Sequence, residues 1–155
     1  MKVIVTKPHP RLLPLFEAMM LPCFPNMGDL RQTFFDNRYV AWITDSNDEM
    51  ASVCTVTRAT TLWGTEMTLW NLCTVPHKRG KGYARLLLRS LIHYIRQKEH
   101  GVSELILLVE QGNASAIRLY SSLGFVRVGS TRYMGYDVER FTLKLRDDAR
   151  ICIVS

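Results

Sequence analysis

Five residues in mid-chain, Lys78-Arg79-Gly80-Lys81-Gly82, have the types and order of an anion site. An apolar run precedes them, and they open directly into a segment where Leu87, Leu88, Leu91 and Ile95 recur at the spacing of one helix face. Arg85, Arg89 and Arg96 fall on the other side. The first turn of a helix has N–H groups without an intrahelical partner, and the helix dipole is positive there. Two glycines let the chain curl closely around a guest, while Lys78, Arg79 and Lys81 add charge. The chemistry on offer is the holding of phosphate. A solvated cationic turn has the same composition, so the loop alone leaves that alternative open.

Other polar residues read as structural from spacing alone. Ala116, Leu119, Tyr120 and Leu123 read as one apolar helix face with Tyr120 as a core aromatic. Glu66 and Glu110 lie at the ends of strand-like runs and read as solvated strand-end carboxylates. The four cysteines, Cys23, Cys54, Cys73 and Cys152, show no CxxC pair and no zinc-like spacing with the histidines. Cys54 and Cys73 lie in apolar runs, so buried free thiols in a reducing compartment, the cytoplasm, are expected.

These residues need a frame. A strand is expected over 2–6, then a helix over 12–20 with Leu12, Leu15, Phe16 and Met19 on one face. A brief helix capped by Asp29 follows, running through Phe35. The bulky residues Phe24, Met27, Phe34 and Phe35 read either as a lid over one end of the fold or as core filling. Asp45-Ser46-Asn47-Asp48 joins strands over 38–44 and 50–58 into a hairpin. The strand over 66–75 has no charge on either face beyond Glu66, the mark of a central strand covered on both sides. Met67, Leu69, Asn71, Cys73 and Val75 share one of its faces. A strand over 104–110 follows the loop and its helix, which implies a parallel pair with a right-handed crossover. Asn113 caps a helix over 114–123 that Gly124 stops. Strands over 125–128 and 138–145 close the fold, in antiparallel arrangement. The tail from residue 146 is charged, then apolar; an extra strand or a subunit contact, hence a homodimer, both suit it.

With 155 residues, 47% hydrophobic and 22% charged, residues 1–155 read as one folded domain. No apolar run approaches membrane-spanning length, and the N-terminus does not read as a secretory signal. The net charge of +6 favours anionic partners, and a phosphorylated cofactor suits it at least as well as a nucleic acid, for which no motif is present. A dinucleotide fingerprint fails because its third glycine would fall at Arg85, and no G-x-x-x-x-G-K-[ST] P-loop occurs.

Two segments, correctly ordered and embedded in that plan, resemble the GCN5-related N-acetyltransferase (GNAT) family. Arg79-Gly80-Lys81-Gly82-Tyr83-Ala84 is similar to its R/Q-x-x-G-x-G/A loop. Asn113 to Phe125, NASAIRLYSSLGF, is similar to its N-x-x-A-x-x-L-Y-x-x-L-G-F segment. The resemblance covers residues 66 to 128 and implies an α/β (α+β) fold: a central mixed, mostly antiparallel sheet with one splayed parallel strand pair, and helices on both faces. It implies an acetyl-CoA-dependent N-acetyltransferase with no metal, in which a primary amine of a small molecule, amino acid or peptide N-terminus attacks directly in a ternary complex. A relative that binds CoA without turnover is the alternative.

By that resemblance the amides of Gly80, Lys81, Gly82, Tyr83 and Ala84 hold the cofactor pyrophosphate, and Arg79 shapes the loop. Cys73 and Thr74 line the pantetheine gap, Asn113 approaches the pantetheine arm, and Tyr120 protonates the departing thiolate. Cys73 is not expected as a nucleophile. Members acting on protein N-termini often carry a glutamate where this chain has Leu108, which leaves Glu66, Glu110 or water as the base. The segments 8–37, 58–66 and 130–138 should shape the acceptor pocket. Their aromatic and basic side chains (Phe24, Phe34, Phe35, Trp63, Arg132, Tyr133, Tyr136) and few acids disfavour a polyamine.

Overall fold

Strand β4 (Gly64–Thr74) carries the site because it is the middle strand of seven. The computed structural model describes residues 1–25 and 30–146. Within them run β1 (Val3–Thr6), α1 (Leu13–Cys23), α2 (Leu30–Phe35), β2 (Tyr39–Thr44), β3 (Met50–Thr61), β4, α3 (Tyr83–Lys98), β5 (Val102–Glu110), α4 (Ala114–Ser122), β6 (Val126–Tyr133) and β7 (Tyr136–Lys144). The sheet order is β1-β2-β3-β4-β5-β7-β6; every neighbouring pair is antiparallel except β4 with β5. This is the mixed, mostly antiparallel sheet expected.

Each face of the sheet has its own core. On one, α3 buries Leu87, Leu88, Leu91, Ile92 and Ile95 against Ala41, Val56, Met67, Leu69, Leu105 and Leu107. The 3.6-residue repeat of α3 thus meets the two-residue repeat of the strands. On the other face Leu13, Phe16, Met20 and Phe34 cover Val40, Val53 and Cys73. The N-terminal helices are therefore core on one side, not a free lid, and Phe34 is fully buried. The face expected of the first helix is turned: Leu13, Phe16 and Met20 point inward, and Leu15 is exposed. At the far end of α3, the buried Glu99 accepts from the Tyr39 hydroxyl (2.7 Å) and Arg38 Nε (3.2 Å) and pairs with Arg58 (3.3 Å).

The last two strands are longer than expected, and the alternation along β4 is not the one expected. Residues 125–145 form a long hairpin, turning at Met134 and Gly135, with β7 inserted between β5 and β6. The segment over 130–138, expected to shape the acceptor pocket, is the tip of that hairpin. In β4, the register with β3 passes from Val53↔Cys73 to Thr55↔Trp70, so β4 has one residue extra. Asn71 takes it up at φ 57°, a β-bulge. Past the bulge the side-chain alternation inverts. Leu72 packs with the α3 core, and Cys73 with the α1 core. Asp29 and the tail from residue 147, with Cys152, lie outside the described residues.

Candidate functional site

The bulge opens the sheet. Parallel pairing of β4 with β5 runs only to Leu69↔Leu107, whereas β5 stays paired with β7 as far as Glu110↔Val138. Beyond Leu69, therefore, the β4 edge facing β5 has no strand partner among the described residues, and a gap opens between the two strands. Asn71 is held by a bond from Nδ2 to Thr55 Oγ1 (3.1 Å), and Trp70 Nε1 donates to Thr57 Oγ1 (2.8 Å). These bonds fix the bulge from the β3 side.

At the end of β4 a 3-10 turn, Pro76–Lys78, leads into the glycine loop. Gly80 (φ 75°) and Gly82 (φ 86°) are left-handed, where a side chain costs strain. A Cβ on either would meet nothing within 4 Å, so the loop opens on free space. Gly82 is the N-cap of α3 and caps it with no side chain, leaving the first-turn N–H groups for a guest. Exposed Lys81 and Arg85 flank it.

The other two basic residues of the loop do different work. Lys78 is buried, its ammonium 2.7 Å from Asp45 and 3.0 Å from Glu49. Those carboxylates raise its pKa, and Lys78, with the Glu49 amide, holds Asp45 down at about 2. Lys78 is thus an anchor of the loop to the β2–β3 turn and not a phosphate ligand. Arg79 folds back, donating Nε to the Thr74 carbonyl (3.1 Å) with a terminal nitrogen 3.6 Å from Cys23 Sγ.

Tyr120 lies on the α3 face, edge-on to Phe125 with ring centroids 5.9 Å apart. Burial, then the nearby Cys54 of β3, push its pKa above the ordinary phenol value. Its hydroxyl makes no hydrogen bond among the described residues. Since no fully buried side-chain oxygen among them lacks a partner, that hydroxyl is not sealed from solvent. Asn113 caps α4, accepting from the Ala116 amide (3.2 Å).

On the opposite face lies a cavity of about 850 Å³. Phe24, Trp70, Tyr133 and Tyr136 give it aromatic walls; Asp36 and Glu110 bring two carboxylates, and among the described residues no lysine or arginine lines it. Trp70 and Tyr133 are in contact, centroids 5.5 Å apart. Of the aromatics expected in an acceptor pocket, Phe24, Tyr133 and Tyr136 are there. Phe34 is core, Phe35 does not line the cavity, Trp63 stands exposed on the β3–β4 turn, and Arg132 turns to Gly135 and Asp137. The expected scarcity of acids is corrected by Asp36 and Glu110. Glu66 pairs with Ala59, about 16 Å along the strand from the bulge at 3.3 Å per residue. Glu110 shares the β5 face of Leu108, one pleat repeat further on.

The sequence did not point to Trp70, Asp36 or Cys23. The signal for the bulge was Asn71 itself, a residue that strands disfavour. The expectation of free thiols is overturned at Cys73, which is bonded to Cys23 with Cα atoms 6.0 Å apart; Cys54 is free and buried. Among the described residues no group of three His, Cys, Asp or Glu is placed to hold a metal.

Comparison with known proteins adds to this geometry. Residues 11–125 match the model of the acetyltransferase (GNAT) family. Over 97 residues the chain is 37% identical to the [ribosomal protein bS18]-alanine N-acetyltransferase of Salmonella typhimurium, covering 61% of this chain and 62% of that protein. Over 131 residues it is 24% identical to N-acetyltransferase family 8 member 3 of Rattus norvegicus, 83% of this chain and 54% of that one. The matches thus span little more than half the length of these curated relatives. Arabidopsis thaliana NAA60 in complex with acetyl-CoA superposes with a TM-score of 0.76 at 18% identity, over 92% of this chain and 99% of that one. The Escherichia coli ribosomal-protein-S18-alanine N-acetyltransferase gives 0.68 at 22%, over 99% and 100%.

Proposed function

Because the chain belongs to the acetyltransferase (GNAT) family, we propose that it moves an acetyl group from acetyl-CoA to a primary amine within a ternary complex. The observation that carries this reading is the gap at the β4 bulge. A glycine loop at the start of α3 follows the end of β4, and a cavity with two carboxylates lies on one face; in this reading the Tyr120 phenol serves the gap from the other face. The proposal treats residues 1–155 as one transferase domain and keeps the cytoplasmic location. Among the described residues no helix is long and apolar enough to cross a membrane.

Acetyl-CoA supplies an acetyl group activated as a thioester. The residues present fit it. Gly80 and Gly82 have free space beside them and Gly82 caps α3 with no side chain, which suits a pyrophosphate held by the amides of Gly80 to Ala84, with charge from Lys81 and Arg85. The pantetheine would lie along the β4 edge at Cys73 and Thr74, with Asn113 on its far side; the two carbonyls there already accept from Ser52 and Arg79. Arg79 holds the loop's shape through Thr74.

The acceptor arrives as an ammonium, since free amines have pKa values of about 8 to 10. Asp36 and Glu110 draw that cation into the cavity, and Glu110 takes its proton, directly or through water. Tyr120 stays a phenol through neutral pH, because its environment opposes the phenolate. Its open hydroxyl can therefore deliver a proton to sulfur leaving on its side. Acid and base thus act from opposite faces of the sheet. The relative from Salmonella, named for alanine of a ribosomal protein, favours a protein N-terminus among the amines.

The test is thiol release from acetyl-CoA with peptides bearing a free N-terminal alanine, the same peptides blocked, and small amines. Free peptides should react, and Tyr120→Phe should lower kcat by about 100-fold with CoA binding retained. A folded protein that binds CoA but releases no thiol with any amine is a CoA-binding domain without turnover, and the proposal fails.

A further inference from the structure

The Cys23–Cys73 pair lies where both substrates meet the chain. Cys23 is the last residue of α1 and lines the acceptor cavity; Cys73 is on β4, two residues beyond the bulge. Their bond therefore ties the acceptor wall to the strand that borders the cofactor gap. It also reaches the glycine loop, since the Arg79 guanidinium lies 3.6 Å from Cys23 Sγ and 3.1 Å from the Thr74 carbonyl. The same pocket suits the reduced pair. Cys23 Sγ lies 3.8 Å from the Thr74 carbonyl, and Cys73 Sγ 3.3 Å from the Met19 carbonyl of α1. Each thiol formed on reduction thus has a carbonyl oxygen to donate to, so opening the bond strands no polar group.

Resting on the acetyl-transfer reading, we propose that Cys23 and Cys73 are a reversible thiol–disulfide site that sets the affinity of this enzyme for its substrates. Closed, the bond fixes the end of α1 and leaves the Arg79 contact as described. Open, two weak S–H···O contacts replace the covalent tie between α1 and β4, so the cavity wall and the loop are held less tightly. The oxidant is a low-molecular-weight disulfide, RSSR. Cys23 reacts first, as the nucleophile: it is half-buried at the cavity wall, where RSSR can reach it, and a guanidinium lies beside it. Cys23 sulfur displaces one RS⁻, giving a mixed disulfide. Cys73 sulfur, almost wholly buried, then attacks Cys23 sulfur and displaces the second. The two protein S–H protons pass to the released thiolates, so one RSSR becomes two RSH. Excess RSH reverses both steps. In a reducing compartment such a bond is made and broken rather than permanent. Cys54 takes no part, since burial pushes its thiol pKa far up.

The experiment equilibrates the full chain at set ratios of reduced to oxidised glutathione, then blocks free thiols and counts them by mass. CoA affinity by titration calorimetry, the KM for the acceptor and kcat are measured at each ratio. Oxidation should remove two free thiols without cross-linking chains. The reduced form should show a Kd for CoA or an acceptor KM raised at least about threefold, the scale of one lost weak contact, with kcat changed less. Cys23→Ser should hold the reduced values at every ratio, whereas Cys152→Ser should respond as the wild type does. Equal Kd and KM in both states overturn the proposal, as does failure of the pair to close at the most oxidising ratio. Turnover absent in both states counts against the acetyl-transfer reading, and the CoA affinities then decide the switch alone.

Discussion

Gly82 allows the charge logic of the loop to be tested apart from its backbone. Its φ of 86° and ψ of 5° are left-handed, and a Cβ there meets nothing within 4 Å. Gly82→Ala therefore adds strain without a clash, about 1 kcal/mol, which lowers Tm by about 2–4 °C in a domain of this size. Free and cofactor-bound protein share that strain, so CoA affinity should change little. Gly82→Asn and Gly82→Asp are alike in shape and both tolerate the left-handed region better than alanine does. They differ in one charge. A carboxylate about 5 Å from a pyrophosphate, at an effective dielectric of 20 to 30, costs about 2 to 3 kcal/mol. Titration calorimetry should then show CoA binding about 30- to 200-fold weaker in the Asp variant than in the Asn variant. The ratio should shrink as salt is raised, because the loop is exposed. Equal affinity in the two variants would mean that no pyrophosphate lies at this loop, and the site would have to be abandoned. A folded wild type that binds neither CoA nor acetyl-CoA would remove the cofactor itself.

Reduction should also be visible as stability. The Cys23–Cys73 bond spans 50 residues, and closing such a loop in the unfolded chain is worth about 4 kcal/mol by chain entropy. Reduced protein should therefore unfold at a urea midpoint lower by about 2 M, at an m-value of about 2 kcal/mol/M; coincident curves would show that the bond constrains nothing. Stability should fall at both ends of the pH scale. Burial alone would raise the Glu99 pKa, but the Tyr39 hydroxyl, Arg38 and Arg58 outweigh it and hold it below the ordinary value, as Lys78 holds Asp45 at about 2. Both contributions are present above the unfolded values near pH 4 and are lost as pH falls through the folded ones. Tyr120 and Cys54 have raised folded values, so above about pH 9 the unfolded chain releases protons that the folded chain keeps, and stability declines as pH rises. Urea midpoints from pH 2 to 11 should trace a dome, flattened on its acid side in Glu99→Gln, and a flat profile would contradict both arguments.

Local pattern decided much of this protein. The loop, the α3 face from Leu87 to Ile95, the Asn113 cap and the central place of β4 follow from side-chain type and spacing over a few residues, and the structure has each of them. Such features rest on backbone geometry and periodicity, which a short stretch carries within itself. What distance in sequence separates, only the folded chain decided. Lys78 is counted in the sequence as loop charge, yet Asp45 and Glu49, some thirty residues earlier, turn it inward. One extra residue at Asn71 inverts the alternation that assigned Cys73 to the α3 face, and so delivers its sulfur to Cys23. Asp36, Trp70, Glu110 and Tyr133 meet around one cavity because helix, strand and hairpin ends converge there. The sequence by itself determined what kinds of group this chain carries and which local elements hold them. The tertiary structure decided which of those groups face one another, because a long-range contact depends on register and packing summed over the whole sheet, and one added residue is enough to change both.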